Sequence, residues 1–285
     1  MNLALVATGY SPQDKDLIRE AQKKGHQLTI LRPRRFILPP KKEENKWRQF
    51  DLIYWRVSGS VPLREVISRY LYQEKIPLIN SGYFKNPLLR EKGYQLYLAQ
   101  ENKILIPKTL LINKGIKFEE IIKELGQPFI IKKNVSSCGH AVWLIKNKEE
   151  LEKVITQNRL NYFLAQQFLK NNGDYRVLVI GGKALGIMKR VPKKNQFKAN
   201  ISLGGHGERV GDTKLKKRLS SLAEKICQIL SLEIAGIDFI KNKDKVYFIE
   251  SNSSPQWQGF QKTTKVNVAG KIFDYFEKKI AKLEA

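Results

Sequence analysis

Apolar and polar positions divide the first 86 residues into short elements that alternate between strand and helix. Leu3–Ala7 is an apolar run typical of a short strand, and Ser11-Pro12 then begins a helical pattern that stops at Gly25. The stretch 63–71 has the i, i+3, i+4, i+7 spacing of an amphipathic helix. Three more apolar runs predict strands, at 27–31, 52–55 and 77–79. This alternation predicts a small α/β layer with a parallel sheet.

The remaining two thirds of the chain have the longer strands and hairpins of an α+β arrangement. Helical patterns occupy 88–101, 117–125, 215–229 and the last 15 residues or so, and apolar runs predict strands at 104–112 and 163–169. Residues 128–145 read as two strands joined by a small polar loop, Ser136–Gly139, whose backbone amides could approach a ligand. Gly181-Gly182 joins the strands of a hairpin, and 193–209 reads as a long loop rich in Gly, Asn and Lys.

A second hairpin, AGIDFIKNKDKVYFIESN at 235–252, carries the chemistry that the sequence signals best. Apolar residues fill both strands except for Asp238 and Glu250, and a buried carboxylate is costly unless a positive group meets it. Glu250 and Asn252 share a strand face, and an odd-numbered turn would place Asp238 diagonally across from Glu250. Hard oxygen donors on one face predict a Mg²⁺ site that phosphate oxygens and water complete. The alternative is an edge hairpin whose acids face solvent.

Composition and charge narrow the class of protein. At 285 residues the chain can bury a large core in two or three subdomains, and neither a signal peptide nor an apolar run of membrane-spanning length is visible. Two distant cysteines, Cys138 and Cys227, predict reduced thiols in a cytoplasmic protein. The net charge of +25 favours a nucleic-acid binder, an enzyme of acidic substrates or a lysine-rich lineage. Dedicated nucleic-acid recognition is the weakest of the three, because no zinc-finger, RNP-type or arginine-rich motif is present.

Several basic residues have positions suited to phosphate or carboxylate binding, although each also has a simpler explanation. Lys132 ends an apolar strand immediately before the Ser/Gly loop, and Lys92 begins a helix; either could be an ordinary surface lysine. Arg176 and Arg190 lie among apolar neighbours in the Gly-Gly hairpin, where a guanidinium needs a planar anion or an internal salt bridge. Asp174 could accept hydrogen bonds from a ribose or simply cap a turn.

Taken in order, these pieces resemble the ATP-grasp fold, specifically the RimK-like carboxylate–amine ligases. The resemblance extends from about Arg90 to about Ile272, and its strongest part is GIDFI followed by FIESNSSPQWQGFQKTTKVNVAGKI. It implies metal binding by Asp238, Glu250 and Asn252, and nucleotide binding by Lys92, Lys132, Gln166, Gln167, Phe168, Leu169, Asp174, Lys189, Lys198 and Asn200. The predicted catalytic residues are Arg190 and Arg176.

The resemblance also implies the architecture and the cofactors. A Rossmann-like pre-ATP-grasp domain would cover 1–86, the small ATP-grasp subdomain 87–165, and the large subdomain with the metal and substrate site 166–285. The reaction implied is ATP- and Mg²⁺-dependent amide formation through an acyl phosphate, with two Mg²⁺ ions for which Mn²⁺ could substitute. The loop 193–209 would close over that intermediate as a lid.

The implied substrates are an amino acid, glutamate first, and an acidic peptide, polyglutamate or coenzyme acceptor. The alternatives are a ligase of lysine or arginine biosynthesis that modifies an acidic carrier protein, and a non-catalytic nucleotide- or RNA-binding protein. We expect a homodimer or tetramer, with no membrane partner and no nucleic-acid partner except through ribosome association. Three features depart from the family pattern: Leu203 before Gly204-Gly205, the Ser136–Gly139 loop and Met188. They leave the identity of the acceptor and of the amine open.

Overall fold

The first part of the chain folds around a parallel sheet. In a computed structural model, the structure describes residues 1–7, 9–33, 44–56, 62–134, 141–158, 162–194, 196, 198–201 and 204–284. The elements of this part are β1 (Asn2–Val6), α1 (Pro12–Lys23), β2 (Gln27–Leu31), α2 (Glu44–Arg48), β3 (Leu52–Trp55), α3 (Pro62–Gln73) and α4 (Ser81–Lys85). The strands pair in the order β2-β1-β3, all parallel, as the alternating pattern predicts.

One strand of this layer was predicted in error. The stretch 77–79 contributes a single parallel bridge between Leu78 and Ile53 and no regular strand. Pro77 has no N–H to donate, and Asn80 turns the chain with a positive φ of 62°. The helix start at Ser11 is confirmed, because its side chain accepts a hydrogen bond from Asp14 N in a capping box.

A second, antiparallel sheet forms the middle of the chain. It follows a 3₁₀ turn (Pro87–Arg90) and α5 (Lys92–Glu101), and its elements are β4 (Thr109–Asn113), α6 (Phe118–Leu125), β5 (Phe129–Lys132), β6 (Val142–Ile145), α7 (Lys148–Asn158) and β7 (Tyr162–Gln167). The strand order is β4-β7-β5-β6. Apolar residues of α6 and α7 cover one face of this sheet and leave the other face available. The strand predicted from residue 104 begins only at Thr109.

A third sheet completes the chain with five antiparallel strands. Its elements are β8 (Asp174–Ile180), β9 (Lys183–Val191), β10 (His206–Arg209), α8 (Thr213–Ile229), β11 (Ile234–Asn242), β12 (Lys245–Asn252), α9 (Gln258–Thr264) and α10 (Val268–Glu284). The order is β10-β9-β8-β11-β12. The end of the stretch predicted as a loop, 193–209, is therefore strand β10, which pairs with β9.

The two faces of the third sheet have different partners. One face packs against α5 and α8, through a core that includes Phe239 and Phe248. The other face packs against α9 and α10, and α10 in turn packs on the parallel sheet through α1. No helix within the described ranges is long and apolar enough to cross a bilayer.

Candidate active site

The carboxylates predicted as metal ligands lie opposite each other on the β11–β12 hairpin. The two-residue turn at Lys243 and Asp244 would, by regular pairing, place Asp238 opposite Ile249. The register shifts between Asp238 and Phe239, so that Asp238 pairs with Glu250 and Ile249 is the extra residue of a β-bulge. The expected diagonal placement is therefore wrong. Directly paired residues share a sheet face, so the bulge brings the two carboxylates together.

Asp238 is held by arginines from two neighbouring strands. Arg176 of β8, its register partner, donates from Nε to Asp238 Oδ1 at 2.8 Å and from Nη2 to Oδ2 at 2.6 Å. Arg190 of β9 donates from Nη2 to Asp238 Oδ2 at 2.9 Å and from Nε to Asp174 Oδ1 at 2.5 Å. Asp174, Arg190, Asp238 and Arg176 thus form one buried network of alternating charge. The hairpin itself supplies no cation to Asp238, and its neighbours in the sheet do.

The two acids of this network have pKa values shifted in opposite directions. Burial would raise the pKa of Asp238, but Arg176 and Arg190 lower it below its ordinary value. Burial raises the pKa of Asp174, since Arg190 only partly offsets the lost hydration and Asp238 adds repulsion. Burial also disfavours the charge of Arg190, yet the two carboxylates raise its pKa and keep it protonated. Arg190 is therefore a fixed cation at the wall of the site.

An open cleft of about 960 Å³ lies between the second and third sheets, in front of this network. It brings together most of the residues predicted for the nucleotide and the metal. These are Lys92, Lys132, Gln166, Gln167, Phe168, Leu169, Asp174, Arg190, Lys198, Asn200, Asp238 and Glu250. A cleft lined by both charged and apolar side chains is suited to a nucleotide.

Two buried lysines line the cleft near Glu250. Lys92, the first residue of α5, lies with its Nζ 3.5 Å from Glu250 Oε2. Lys132 ends β5 and is only 4% exposed. Burial, more than any other effect, lowers the pKa of Lys132 to about 8; Glu250 opposes this shift and Lys92 adds to it. An anion brought into the cleft would therefore relieve a real electrostatic cost.

Apolar walls complete the cleft, and sequence reasoning missed most of them. Ile130 and Val142 line it from the second sheet, and Ile240 and Ile249 line it from the β11–β12 hairpin. Phe168 and the other residues of the Gln166–Leu169 segment line the same cleft, so its lining offers apolar contact to a flat ring. In the sequence these residues look like any strand core, since periodicity does not distinguish a residue that lines a cleft from one that is packed.

Three predicted residues are outside the cleft lining. Arg176 lies behind Asp238, as described above. Lys189 is on the opposite face of β9 from Arg190, with its Nζ 3.4 Å from Glu208 Oε2. Asn252 accepts a hydrogen bond from Ser254 N through Oδ1 at 2.9 Å, in a local turn. The Ser136–Gly139 loop and Leu203 lie outside the described residues.

The acids of the cleft fit a Mg²⁺ ion that a polyphosphate helps to hold, but they do not form a complete protein site. Within the described part of the chain, no three acidic, histidine or cysteine side chains cluster as metal ligands. Glu250 is 29% exposed, and Asp238 Oδ1 accepts one arginine hydrogen bond where Oδ2 accepts two. Mg²⁺ commonly binds through one or two carboxylates with phosphate and water as the other ligands. The donor set therefore agrees with that mode.

Comparisons of the chain with known proteins identify its family. Residues 90–276 match the family model of the RimK-like ATP-grasp domain. A probable alpha-L-glutamate ligase of Mannheimia succiniciproducens is 30% identical in an alignment of 292 positions, gaps included, that covers 92% of this chain and 93% of that protein. The protein of the same description from Legionella pneumophila (strain Corby) is 28% identical in an alignment of 301 positions, gaps included, that covers 98% of this chain and 96% of that protein.

Solved structures share the fold at lower identity. A RimK domain ATP-grasp protein of Sphaerobacter thermophilus has a TM-score of 0.74 at 21% identity, covering 96% of this chain and 99% of its own. The ATP-grasp ligase PsnB with minimal precursor, Mg and ADP has a TM-score of 0.75 at 16% identity, covering 98% and 97%. D-alanine–D-alanine ligase from Bacillus anthracis has a TM-score of 0.74 at 16% identity, covering 99% and 98%.

Proposed function

The chain belongs to the RimK-like ATP-grasp family and is an ATP-dependent carboxylate–amine ligase, and we propose that it adds glutamate to an acidic acceptor. The acceptor is an acidic peptide, a polyglutamate or a glutamyl coenzyme. The description of the relatives as probable alpha-L-glutamate ligases supports glutamate as the amino acid. The net charge of +25 supports an anionic acceptor, because long-range attraction speeds the encounter with it.

The chemistry follows from the poor reactivity of a carboxylate. A carboxylate oxygen of the acceptor attacks the γ-phosphorus of ATP, the bond to ADP breaks, and an acyl phosphate forms. The amine nitrogen then attacks the acyl carbon, inorganic phosphate leaves with the bonding electrons, and the nitrogen loses a proton as the amide forms. Both steps place negative charge on oxygen atoms, which fixed cations stabilise.

We assign roles to the side chains that line the cleft. Lys92 and Lys132 bind the phosphates of ATP, and Phe168 with the apolar walls holds the adenine ring. Asp174 and the Gln166–Leu169 segment border the nucleoside. Arg190, kept protonated by two carboxylates, stabilises charge on the transferred phosphoryl group. Asp238 and Glu250 hold Mg²⁺ with the phosphates, and Mg²⁺ supplies Lewis-acid neutralisation of phosphate oxygens.

One observation carries this proposal. Two buried lysines and a buried arginine lie around two paired carboxylates in one cleft, whose lining also includes apolar side chains. Charged residues without a shared function are normally exposed and separate, and are not buried together in one cleft. ATP requires such an arrangement, with cations for its phosphates, acids for Mg²⁺ and apolar side chains for its adenine ring.

The proposal is tested by ADP release and by mass spectrometry of the products. Purified protein with ATP and Mg²⁺ is given glutamate or other amino acids, each with a diglutamyl peptide or an acidic carrier-protein tail as the acceptor. We expect ADP only when both an amino acid and an acceptor are present, and a product heavier by one or more glutamyl residues. A carrier tail that reacts while glutamyl peptides do not would transfer the assignment to a carrier-modifying ligase.

A substitution of Glu250 tests the proposed Mg²⁺ site. Glu250→Gln should lower kcat/KM by about 100-fold or more, because loss of a Mg²⁺ carboxylate removes several kcal/mol of stabilisation. Glu152→Gln, on the exposed surface of α7, is the matched control and should retain wild-type turnover. Wild-type turnover by Glu250→Gln would contradict the proposed metal site. ADP release without any acceptor would contradict the ligase reaction.

A further inference from the structure

Two arginines outside the cleft converge on one carboxylate oxygen. Arg64, in the first turn of α3, donates from Nη2 to Glu65 Oε1 at 3.0 Å. Arg90, at the end of the 3₁₀ turn before α5, forms an ion pair with the same oxygen through Nη1. The side chains of Arg64 and Arg90 are 9% and 12% exposed, while that of Glu65 is 30% exposed. The group is thus buried on the arginine side and reachable from solvent on the Glu65 side.

The Arg90 guanidinium is largely buried and lies close to a second positive charge, that of Arg64. Burial lowers the pKa of Arg90, and the nearby Arg64 lowers it further in spite of Glu65. Glu91, the next residue, is turned away and accepts a hydrogen bond from Asn134 at 2.7 Å. The Arg90 guanidinium carbon lies 5.2 Å from the ring centroid of Phe84 and 5.9 Å from that of Tyr83, so the rings hold it in place. A preformed guanidinium of this kind is suited to a second carboxylate.

This cluster adjoins the proposed active site. Arg90 precedes Lys92 by two residues, which limits their Cα atoms to about 7.6 Å, and Lys92 pairs with Glu250. Tyr83 hydrogen-bonds through its side chain with Ser253. Gln95 donates to the Tyr83 hydroxyl at 3.2 Å and accepts from Ser251 N at 3.0 Å. Tyr83, whose ring lies beside the Arg90 guanidinium, therefore links the cluster to the segment that directly follows Glu250.

We propose that Arg64 and Arg90 form a second carboxylate subsite, which binds a substrate carboxylate that is not phosphorylated. The inference depends on the proposed function, whose acceptor and amino acid both have a carboxylate in addition to the reacting group. Holding that carboxylate orients the reacting group toward ATP. Glu65 occupies the arginines when no substrate is bound, and the substrate carboxylate competes with it.

Kinetics of Arg90 variants identify the substrate that the subsite holds. Arg90→Gln should raise one KM by about 10-fold or more, with the KM for ATP unchanged within about 2-fold. Arg90→Lys should recover part of the loss, since it keeps the charge but not the fork. A rise in the KM of the acceptor, or of the amino acid, supports the subsite and identifies the carboxylate. The matched control is Arg69→Gln, which changes an exposed arginine of α3, the helix that also carries Arg64.

Binding without turnover separates this proposal from the proposed function. Calorimetric titration with glutarate in the absence of ATP should give weaker binding to Arg90→Gln by about 10-fold and to Arg69→Gln by less than about 2-fold. Glu65→Gln should bind glutarate several-fold more tightly, because the competing carboxylate is gone. A purely structural cluster would instead make Glu65→Gln unstable without any gain in affinity.

The outcomes differ for the two proposals. Glutarate binding that responds to Arg90 and Glu65 supports the subsite even when no ADP is released. ADP release by the wild-type protein, together with glutarate binding and KM values that are unchanged in a folded Arg90→Gln variant, would overturn the subsite. The ligase assignment would still stand. Arg90→Lys also serves where Arg90→Gln fails to fold, which circular dichroism would reveal.

Discussion

Asp238 illustrates how one residue can be unfavourable by itself and stable in its surroundings. Its side chain is almost fully buried, and an isolated carboxylate there would be very costly. Arg176 and Arg190 compensate it with three charge-assisted hydrogen bonds. Removing Arg190 would break the ion pair with Asp174 and leave Asp238 with Arg176 alone, so the effects on the two acids are linked. In our proposal the same network keeps Arg190 charged beside the transferred phosphate.

Lys132 leads to a prediction about stability and pH. Its pKa of about 8, against an ordinary 10.5, means that burial disfavours the charged lysine in the folded protein. Lys132→Met should therefore raise the free energy of unfolding at pH 7 by about 1–3 kcal/mol, while ATP binding is lost. The sign follows from proton counting: between pH 8 and 10.5 the unfolded state binds more protons, so the stability of the wild type rises with pH.

The measurement is urea unfolding of both proteins at pH 7 and at pH 9.5. The stability gap should shrink by about half at the higher pH, since the folded lysine has by then lost its proton. Lys114→Met, exposed in the turn after β4, is the control and should change stability by less than about 0.5 kcal/mol. A variant that is less stable than the wild type at pH 7 would contradict the prediction.

At the scale of elements, the bulge in the β11–β12 hairpin decides which side chains reach the cleft. Phe239 and Phe248 pair with each other toward the core, and one pair further along Asp238 and Glu250 face the cleft. Strict alternation would have put Phe248 and Glu250 on the same face of β12. The extra residue, Ile249, breaks the alternation and itself lines the cleft. Bulges commonly re-aim side chains next to functional sites.

The connection between the parallel sheet and β11 depends on Asn80. This residue has a positive φ of 62° and is 3% exposed, and its Oδ1 accepts hydrogen bonds from Glu233 N at 2.6 Å and Ile234 N at 3.0 Å. Asn80→Ala should lower the free energy of unfolding by about 2–4 kcal/mol, from unsatisfied N–H groups and left-handed strain. Asn80→Gly should be more stable than Asn80→Ala by about 1 kcal/mol, because glycine tolerates the positive φ.

Urea unfolding measures both Asn80 variants. Asn86→Ala, which removes a cap from the exposed 3₁₀ turn, should cost about 1 kcal/mol or less and controls for the loss of an asparagine. Equal stability of the glycine and alanine variants would show that backbone strain at this position is unimportant. A loss of less than about 1 kcal/mol in the free energy of unfolding of Asn80→Ala would contradict the role of Asn80 in connecting the parallel sheet to β11.

At the scale of the molecule, the site lies where two sheets face each other. The second sheet contributes Lys132 and the Gln166–Leu169 segment, and the third contributes the acids and Arg190. The parallel sheet is joined to the third through α10 and Asn80, and Arg64 of α3 shares the Glu65 carboxylate with Arg90. Substrates and ATP would therefore meet at a junction of all three layers. The boundaries at 86 and 165 remain predictions.

Net charge leads to a prediction for the whole molecule. Raising the ionic strength from about 0.01 M to 0.1 M shortens the Debye length from about 30 Å to 10 Å. We expect kcat/KM for an acidic acceptor to fall several-fold over this range, because screening weakens attraction to a protein of charge +25. Steady-state kinetics with saturating ATP and glutamate measures it, and kcat should change little. A kcat/KM that does not change with salt would indicate that the positive charge of the protein does not attract the acceptor.

Much of the site was visible in the sequence because its residue types are restrictive. Two carboxylates in otherwise apolar strands, and a lysine at the end of another, indicate a metal–phosphate site whatever their exact contacts. The strand and helix periods likewise predicted the parallel layer and the antiparallel hairpins, which the structure confirms. These properties depend on residues that are close in sequence, so the local sequence pattern predicts them.

Only the tertiary structure decided which groups meet. The direct opposition of Asp238 and Glu250 follows from a bulge, and the arginines that neutralise Asp238 come from strands 48 and 62 residues away in sequence. The convergence of Arg64 and Arg90 on Glu65 likewise joins two separate helical segments. Register and long-range contact depend on pairing between distant segments, and a shift of one residue turns a side chain to the other face. Local sequence therefore determines the chemical groups, and packing determines their partners.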